Sequence, residues 1–163
     1  MADEAGTHLA ILLKCFELGD GPILEMGTGQ FSTPILDMMC KRRQKRWILS
    51  LENDPEWYAI NKAKYESDYH KFMFVQDWDA PPIMETHWGL VLIDHKPALR
   101  RKTDIVRLKH RAHYILCHDS EPEIERFYRY DRAYPHFKYR YDYEECEPFT
   151  TVLSNFSNLG ELR

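Results

Sequence analysis

The chain has 163 residues, of which 44% are apolar and 29% are charged. This length and composition predict one globular domain over residues 1–163 and exclude a disordered chain. No apolar run approaches the roughly 18 residues that a membrane span needs, so a membrane is not a predicted partner. The net charge of −4 gives no overall case for nucleic acid as a partner, although basic residues at 41–46 and along 97–111 keep a polyanionic substrate open.

The four cysteines are widely spaced, and none of them forms a Cys-x-x-Cys pair. Their apolar or semi-apolar surroundings favour buried free thiols over disulfides or a metal site. Free thiols are typical of a reducing compartment, so the sequence predicts a cytoplasmic protein.

Strands and helices alternate along most of the chain, which predicts a parallel sheet covered by helices on both faces. The predicted strands are residues 23–26, 46–52, 71–77, 88–94 and 113–119, and the predicted helices are residues 7–18, 30–43, one that opens at Pro55, 97–111 and 121–134. The connection 78–87 is too short for a full crossover helix, so we expect an irregular turn or a single helical turn there.

The end of the chain follows a different pattern. Residues 137–143 alternate aromatic and charged side chains, which predicts a strand of period two, and residues 149–156 predict a second strand after a turn. An antiparallel hairpin should therefore close the sheet. The predicted fold class is α/β: a single Rossmann-like, three-layer α/β/α domain with a mostly parallel, seven-stranded sheet.

The segment 22–29 leads from an apolar strand into an acid and then into Gly-x-Gly. Gly27 and Gly29 allow a sharp turn that passes close to a ligand, just before the next helix begins. Glu25 lies two positions before the first glycine, where a carboxylate would repel a dinucleotide pyrophosphate, and Ser32 replaces the third glycine of the dinucleotide motif. A cationic ligand without phosphates tolerates or favours this carboxylate. S-adenosylmethionine (SAM), with its ammonium and sulfonium groups, is such a ligand.

All five predicted parallel strands end at an acid, at the edge where open α/β sheets bind their ligands. These acids are Glu25, Glu52, Asp77, Asp94 and Asp119. Glu52 lies 25 residues after Gly27, where an acid accepts hydrogen bonds from two ribose hydroxyls. Asp77 is predicted to accept from the adenine amino group, and Trp78 to stack on the purine ring or else to cover the core. Asn53, next to Glu52, completes the predicted cofactor site.

These features resemble the class I SAM-dependent methyltransferases over about residues 5–156. The likeness rests on Glu25-Met-Gly27-Thr-Gly29, on Glu52 after the second strand, on Gln76-Asp77-Trp78 after the third strand and on the terminal hairpin. It implies the strand order 3-2-1-4-5-7-6 with the seventh strand antiparallel. It also implies that SAM lies across the two glycines, with its ribose on Glu52 and its adenine near Asp77. The implied reaction transfers a methyl group to oxygen or nitrogen of a substrate that the sequence does not identify, and S-adenosylhomocysteine (SAH) is its product.

A second cluster follows the fourth and fifth strands, whose ends should be neighbours. Asp94 and Asp119 are similar to the acids that hold magnesium in metal-dependent catechol-type O-methyltransferases. Ser120 stands where that pattern expects an asparagine, so a divalent metal stays open and no metal ligand is assigned.

Methyl transfer mainly needs an aligned nucleophile and a base that takes its proton. His95 is the first candidate for that base, ahead of His118 and Lys96, because histidine needs the smallest pKa change to serve near neutral pH. His95, Asp94 and Asp119 therefore form the predicted catalytic set.

Three other functions stay open. The sulfonium of SAM could undergo elimination or cyclisation instead of methyl transfer, or the chain could be a nicotinamide oxidoreductase, which Glu25 and Ser32 disfavour. The domain could also be non-catalytic and bind a partner through its basic patches. A domain this small leaves its site open, so either the substrate is large or a second subunit closes the pocket. A homodimer through the terminal hairpin or through the helix 97–111 is a hypothesis.

Overall fold

A seven-stranded sheet lies at the centre of the protein, which the computed structural model describes over residues 6–42 and 46–163. Its strands are β1 (Ile23–Met26), β2 (Ile48–Glu52), β3 (His70–Phe74), β4 (Trp88–Ile93), β5 (Ala112–His118), β6 (Tyr139–Tyr143) and β7 (Thr150–Ser154). The strand order is β3-β2-β1-β4-β5-β7-β6. Strands β1 to β5 pair in parallel, whereas β7 is antiparallel to both β5 and β6. The predicted fold class, strand order and closing hairpin are confirmed.

Helices cover both faces of this sheet. Within the described residues the α-helices are α1 (Leu9–Leu18), α2 (Ser32–Arg42), α3 (Pro55–Tyr65), α4 (Ala98–Leu108) and α5 (Pro122–Tyr128). Short 3-10 turns lie at Ile83–Glu85, Tyr130–Arg132, Tyr134–His136 and Leu159–Leu162. The first of these turns confirms the single helical turn expected between β3 and β4. α5 is shorter than the predicted helix 121–134 because the chain leaves it at Arg129, which adopts a left-handed φ of 59°.

The two faces of the sheet belong to different apolar clusters. Along β4, Leu90 and Leu92 face the cluster that contains α1 and α2, while Val91 and Ile93 face the cluster that contains α4. This alternation follows from the two-residue period of a strand. Because both faces are covered, β4 is an unbroken apolar run, as strands of buried parallel sheets are.

One strand end differs from the sequence prediction in a way that affects the site. β3 ends at Phe74, three residues before Asp77. The next residue, Val75, donates its backbone N–H to the carbonyl of Glu52, and the chain then leaves the sheet. Asp77 and Trp78 consequently lie in the β3–β4 connection and not at the end of a strand.

The basic stretches form less open positive surface than the sequence suggests. Of the run 41–46, residues 43–45 lie outside the described residues, and Lys41 and Arg42 are exposed at the end of α2. On α4, Arg100 and Arg107 each pair with Asp79 and Asp104, and Arg101 pairs with Asp94 and Asp119. Three of the six lysine and arginine side chains along 97–111 are therefore paired with acids within the chain.

Two further predictions concern the cysteines and membrane-spanning helices. Cys15, Cys40 and Cys117 are buried free thiols, but Cys146 is exposed, so the expectation of buried thiols is wrong at that position. Within residues 6–42 and 46–163, none of the helices has the length and apolar character that crossing a bilayer requires.

Candidate functional site

The turn after β1 passes very close to the end of β4. Gly27 has a φ of +92°, a left-handed conformation that residues with a Cβ disfavour, and a Cβ there would lie 2.7 Å from the backbone oxygen of Asp94. The Gly27 N–H donates to the carbonyl of Leu51 on β2 at 2.9 Å. Gly29 donates its N–H to Thr33 Oγ1 at 3.0 Å, which joins the turn to α2. The turn is thus held between β2, β4 and the start of α2.

Glu25 lies beneath this turn. Its side chain is fully buried, and its oxygens accept hydrogen bonds from the hydroxyls of Ser32 (2.7 Å), Thr33 (2.9 Å) and Ser50 (2.6 Å). These contacts join β1 to the first turn of α2 and to β2. The oxygens of Glu25 are thus enclosed and already bonded, and the predicted contact of Glu25 with the cofactor stays a prediction.

Burial also changes the charge of Glu25. Loss of water raises the pKa of Glu25 to about 7, although its three hydroxyl donors favour the ionised form. The carboxyl group is therefore only partly ionised at neutral pH. Repulsion of a pyrophosphate by this residue alone is correspondingly weak.

Glu52 joins the turn after β1 to the start of α3. Its Oε2 accepts from the backbone N–H (2.8 Å) and the hydroxyl (2.7 Å) of Thr28, and its Oε1 accepts from the N–H groups of Asn53 and Asp54, both at 2.8 Å. Asp54 in turn caps α3 by accepting from two N–H groups of its first turn. The four donors occupy the lone pairs that a carboxylate offers, so the chain itself holds this side chain in place.

A cavity of about 640 Å³ opens between the turn after β1, the start of α3 and the loop after β4. This volume is typical of small-molecule sites. The acidic lining residues are Glu52, Asp54, Glu56 and Asp94, and Lys96 is the one lysine or arginine in the lining. The cavity therefore favours cations and disfavours a pyrophosphate. The sequence analysis assigned this discrimination to Glu25.

The apolar lining comes from α3 and was missed by the sequence analysis. It consists of Pro55, Trp57 and Ile60. The Nε1–H of Trp57 donates to the carbonyl of Thr28 at 2.6 Å, so the indole is fixed against the turn. Trp57 and Ile60 are three residues apart, which places them on one face of the helix directly after its cap. That spacing was the signal by which the sequence could have located them.

Asp77 and Trp78 do not line this cavity. Asp77 is exposed, and its Oδ1 accepts the N–H of Asp79 at 2.9 Å, which is a local turn contact. Trp78 is buried, donates its Nε1–H to the carbonyl of Lys96 at 2.9 Å, and stacks on His95 with a centroid distance of 4.0 Å. The adenine contacts of Asp77 and Trp78 therefore stay predictions that this cavity does not support, and Trp78 takes the core position that the sequence left open.

His95 borders the cavity but turns its ring into the protein. Its side chain is enclosed, with Nε2 2.9 Å from Oδ2 of the buried Asp104 on α4. A base has to reach the proton that it removes, and this ring lies between Trp78 and α4 instead. In this structure neither ring nitrogen of His95 is accessible, and its role as the catalytic base stays a prediction. The ring supports the loop after β4.

Arg101 lies between the other two residues of the predicted catalytic set. Its Nη2 is 2.9 Å from Asp94 Oδ1, and its Nη1 is 2.9 Å from Asp119 Oδ2. The Nε–H donates to the carbonyl of His95 at 2.7 Å. The two acids are brought together as expected, but a guanidinium occupies the position between them that a divalent cation would need. In the part of the chain that the structure describes, no three His, Cys, Asp or Glu side chains are grouped to hold a metal ion.

The sequence matches no protein-family model and no curated protein. Solved structures with the same architecture do indicate which class of fold the chain has. The chain is similar to the N-terminal domain of human METTL16 in complex with SAH, with a TM-score of 0.67 and 15% identity over 93% of this chain and 71% of that chain. It is also similar to human methyltransferase-like protein 13 in complex with SAH, with a TM-score of 0.68 and 13% identity over 93% of this chain and 82% of that chain. The chain has the class I SAM-dependent methyltransferase fold.

A third methyltransferase-fold neighbour bears on nucleic acid as a partner. The catalytic domain of human METTL16 in complex with MAT2A 3′UTR hairpin 1 has a TM-score of 0.65 and 13% identity over 93% of this chain and 70% of that chain. Because a neighbour with this fold binds RNA, the case against nucleic acid made from net charge is not supported.

Replacing Glu25 by glutamine should change the pH dependence of stability. Between pH 4.5 and about 7 the folded state retains a proton on Glu25 that the unfolded state has released, so the stability of the wild type falls as pH rises through this window. The loss amounts to about 3 kcal/mol. The Glu25→Gln variant lacks this titration. Denaturant unfolding at pH 5 and pH 8 gives the free energy of unfolding of both proteins. The difference in this free energy between variant and wild type should change by about that amount from one pH to the other. Parallel pH profiles of the two proteins would contradict the prediction.

Replacing Arg101 by methionine should leave Asp94 and Asp119 without a cation. We expect a loss of roughly 2–4 kcal/mol, somewhat below that of a fully buried pair because the side chain of Asp94 is 31% exposed. Millimolar Mn²⁺ should then raise the melting temperature of Arg101→Met and leave that of the wild type unchanged, because carboxylate oxygens suit such ions.

The matched control for Arg101 is Arg100→Met. Arg100 pairs with Asp79, whose side chain is 66% exposed, and Asp104 keeps Arg107 as a partner. This variant should lose about 1 kcal/mol or less and should not respond to Mn²⁺. Equal Mn²⁺ responses of the wild type and Arg101→Met would contradict the role given to Arg101.

Proposed function

We propose that this protein is a SAM-dependent methyltransferase, with residues 1–163 acting as one SAM-binding domain, and that it methylates an oxygen or nitrogen atom of its substrate. The observation that supports this most is the cavity between the Gly27 turn and Glu52. It lies at the carboxyl ends of β1 and β2, in a fold shared with methyltransferases solved with SAH. When bound, SAM supplies a methyl group activated by its sulfonium.

The lining of the cavity suits a nucleoside with positive charge. Pro55, Trp57 and Ile60 offer an apolar surface for the adenine ring, in place of the predicted Asp77 and Trp78. The acids at the rim favour the ammonium and sulfonium groups over a phosphate. Phosphate-bearing nicotinamide cofactors are therefore poor candidates for this cavity.

We assign the ribose to Glu52. One ribose hydroxyl would replace one of the four hydrogen-bond donors that the carboxylate has in this structure. Three of the four donors to its carboxylate are backbone N–H groups, which cannot turn away. The fourth is the hydroxyl of Thr28, which can rotate and release a lone pair of Oε2. A ribose hydroxyl would replace that contact, so the site accepts the ligand without loss of the bonds that hold its loops.

The reaction should need no divalent metal. In metal-dependent sites of the kind considered from the sequence, the cation neutralises the acids and holds the acceptor. Arg101 is already paired with both Asp94 and Asp119 here. The homodimer and the cytoplasmic location stay predictions. Leu99 on α4 is 63% exposed and is the apolar side chain that a dimer through this helix would cover.

Glu52→Gln tests the cofactor assignment. Losing one charge-assisted hydrogen bond should weaken SAH binding by about 1–3 kcal/mol, which is roughly fivefold to 150-fold in Kd. Glu56→Gln is the matched control. It removes another acid from the lining of the same cavity, but Glu56 makes none of the predicted contacts with the ligand. Calorimetry should show SAM and SAH binding to the wild type, no binding of NAD, and a change of less than about threefold for Glu56→Gln.

Two outcomes would contradict the proposal, and a third would contradict the role given to Glu52. NAD binding in place of SAH would reassign the cavity to a phosphate-bearing ligand. Consumption of labelled SAM without SAH among the products, followed by mass spectrometry, would point to elimination or cyclisation in place of methyl transfer. An unchanged SAH affinity in Glu52→Gln would remove Glu52 from the ribose role.

A further inference from the structure

Residues 6–8 form a short segment, here named the strap, that crosses the carboxyl end of the sheet. Gly6 packs against the ring of Phe31, which follows the Gly27 turn, at 3.2 Å from the position of a Cβ. Two residues later, His8 contacts His118 at the end of β5. Between them, the hydroxyl of Thr7 donates to the carbonyl of Pro148 at 2.8 Å. The strap therefore spans from the cofactor turn to the loop before β7.

His8 is the last residue of the strap, and its ring is buried without a hydrogen-bond partner among the described residues. The residue is 5% exposed, and its ring meets the ring of His118 edge-on with a centroid distance of 4.7 Å. Neither ring nitrogen has a partner among the described residues. Burial and the neighbouring His118 lower the pKa of His8 to about 4, so at neutral pH the ring has one donor and one acceptor, both unused.

Two more unpartnered polar atoms lie on the segment that follows His118, the residue that His8 contacts. The hydroxyl of Ser120, a residue 6% exposed, and Oε2 of Glu121 are buried without a partner in the part of the chain that the structure describes. Buried polar groups are nearly always paired, so unpaired ones on two segments joined by the contact of His8 with His118 point to a ligand that pairs them.

A second cavity, of about 390 Å³, adjoins this loop. Its lining residues are Glu121, Pro122, Glu123, Ile124, Glu147 and Phe149. Pro148, which anchors the strap, lies between two of them, and the N–H of Ser120 donates to the carbonyl of Phe149 at 3.2 Å. The lining is half carboxylate and half apolar, and none of the residues described in it is cationic.

We propose that the strap and this second cavity form the subsite for the methyl acceptor, and that the acceptor is an amine attached to an apolar group. This inference rests on the proposed function. The carboxylates of the cavity favour entry of the amine in its protonated form and disfavour an anion. The ammonium then gives one proton to solvent, and the free lone pair of the nitrogen forms the bond to the methyl carbon while the bond from that carbon to sulfur breaks and SAH leaves. His8 and Ser120 offer oxygen and nitrogen acceptors for its N–H groups. Arg101, whose guanidinium lies at the end of β5, is already held by Asp94 and Asp119, so it does not serve an anionic acceptor.

Access to His8 requires the strap to move. Both ring nitrogens are closed off in this conformation. Gly6 has a φ of +92°, and a glycine can change its backbone angles with little steric cost, so the strap can swing at this residue. Closure over the bound amine would place the rings of His8 and His118 against it.

Benzylamine, benzyl alcohol and benzoate are suitable probes, because they differ mainly in the charge of one group. The measurement is NMR of protein labelled with ¹⁵N in its histidine rings and saturated with SAH. Benzylamine should shift the signals of His8 and His118 with a saturable curve, and benzoate should not. Two separate variants, His8→Phe and Glu147→Gln, should each weaken the binding of benzylamine by about tenfold. Glu147 is exposed, so its replacement should leave the fold intact.

His113→Gln is the control, because His113 contacts Ser157 near the opposite end of β5. It should leave benzylamine binding unchanged, and all variants should keep the SAH affinity of the wild type within about twofold. Equal shifts by benzyl alcohol or benzoate, shifts caused by a short RNA oligonucleotide in place of the amine, or benzylamine binding that ignores both variants would overturn the inference. Loss of SAH binding in the wild type would instead refute the proposed function, so the two failures are distinguishable.

Discussion

A carboxylate that leaves water has to be paired with donors or with a cation, and the carboxyl edge of this sheet is organised by that requirement. Glu25 collects three hydroxyl donors, Glu52 collects four donors, and Asp94 and Asp119 share the guanidinium of Arg101. In each case the partners come from elements other than the one that supplies the acid. The acids therefore tie the loops of the site together before any ligand is present.

This organisation gives the acids two different roles. Those that are fully paired shape the cavity, and those at its rim, such as Asp54 and Glu56, set its charge towards the ligand. A nucleoside is then held by shape and by the apolar side chains of α3, with hydrogen bonds to an already positioned Glu52. Loops held in this way lose little further freedom when a ligand binds, which favours affinity.

The sequence predicted the fold well because its signals are local. Alternating periods of apolar residues located the strands, and the resemblance to a known family supplied their order. Gly27 and Glu52 were correctly expected at the same edge, because their spacing follows from one strand, one turn and one helix. The start of α3 was also readable from Asp54 and Pro55, which cap and open it.

The differences from the sequence analysis arise where side-chain or backbone partners come from other parts of the chain. Glu25 is enclosed by residues of α2 and β2, and His95 is drawn inward by Asp104 on α4. Asp77 was misplaced because β3 ends early, after a backbone bond from Val75 to Glu52. No period or motif around His8 indicates that its ring meets His118, 110 residues further along the chain.

A crystal structure of the protein with SAH tests the central claim most directly. The ribose should lie on Glu52 with the Thr28 hydroxyl rotated away, the adenine against Trp57 and Ile60, and the sulfur directed towards the ends of β4 and β5. SAH bound elsewhere, or a ribose that makes no contact with Glu52, would contradict the claim that these internally paired acids form a nucleoside site.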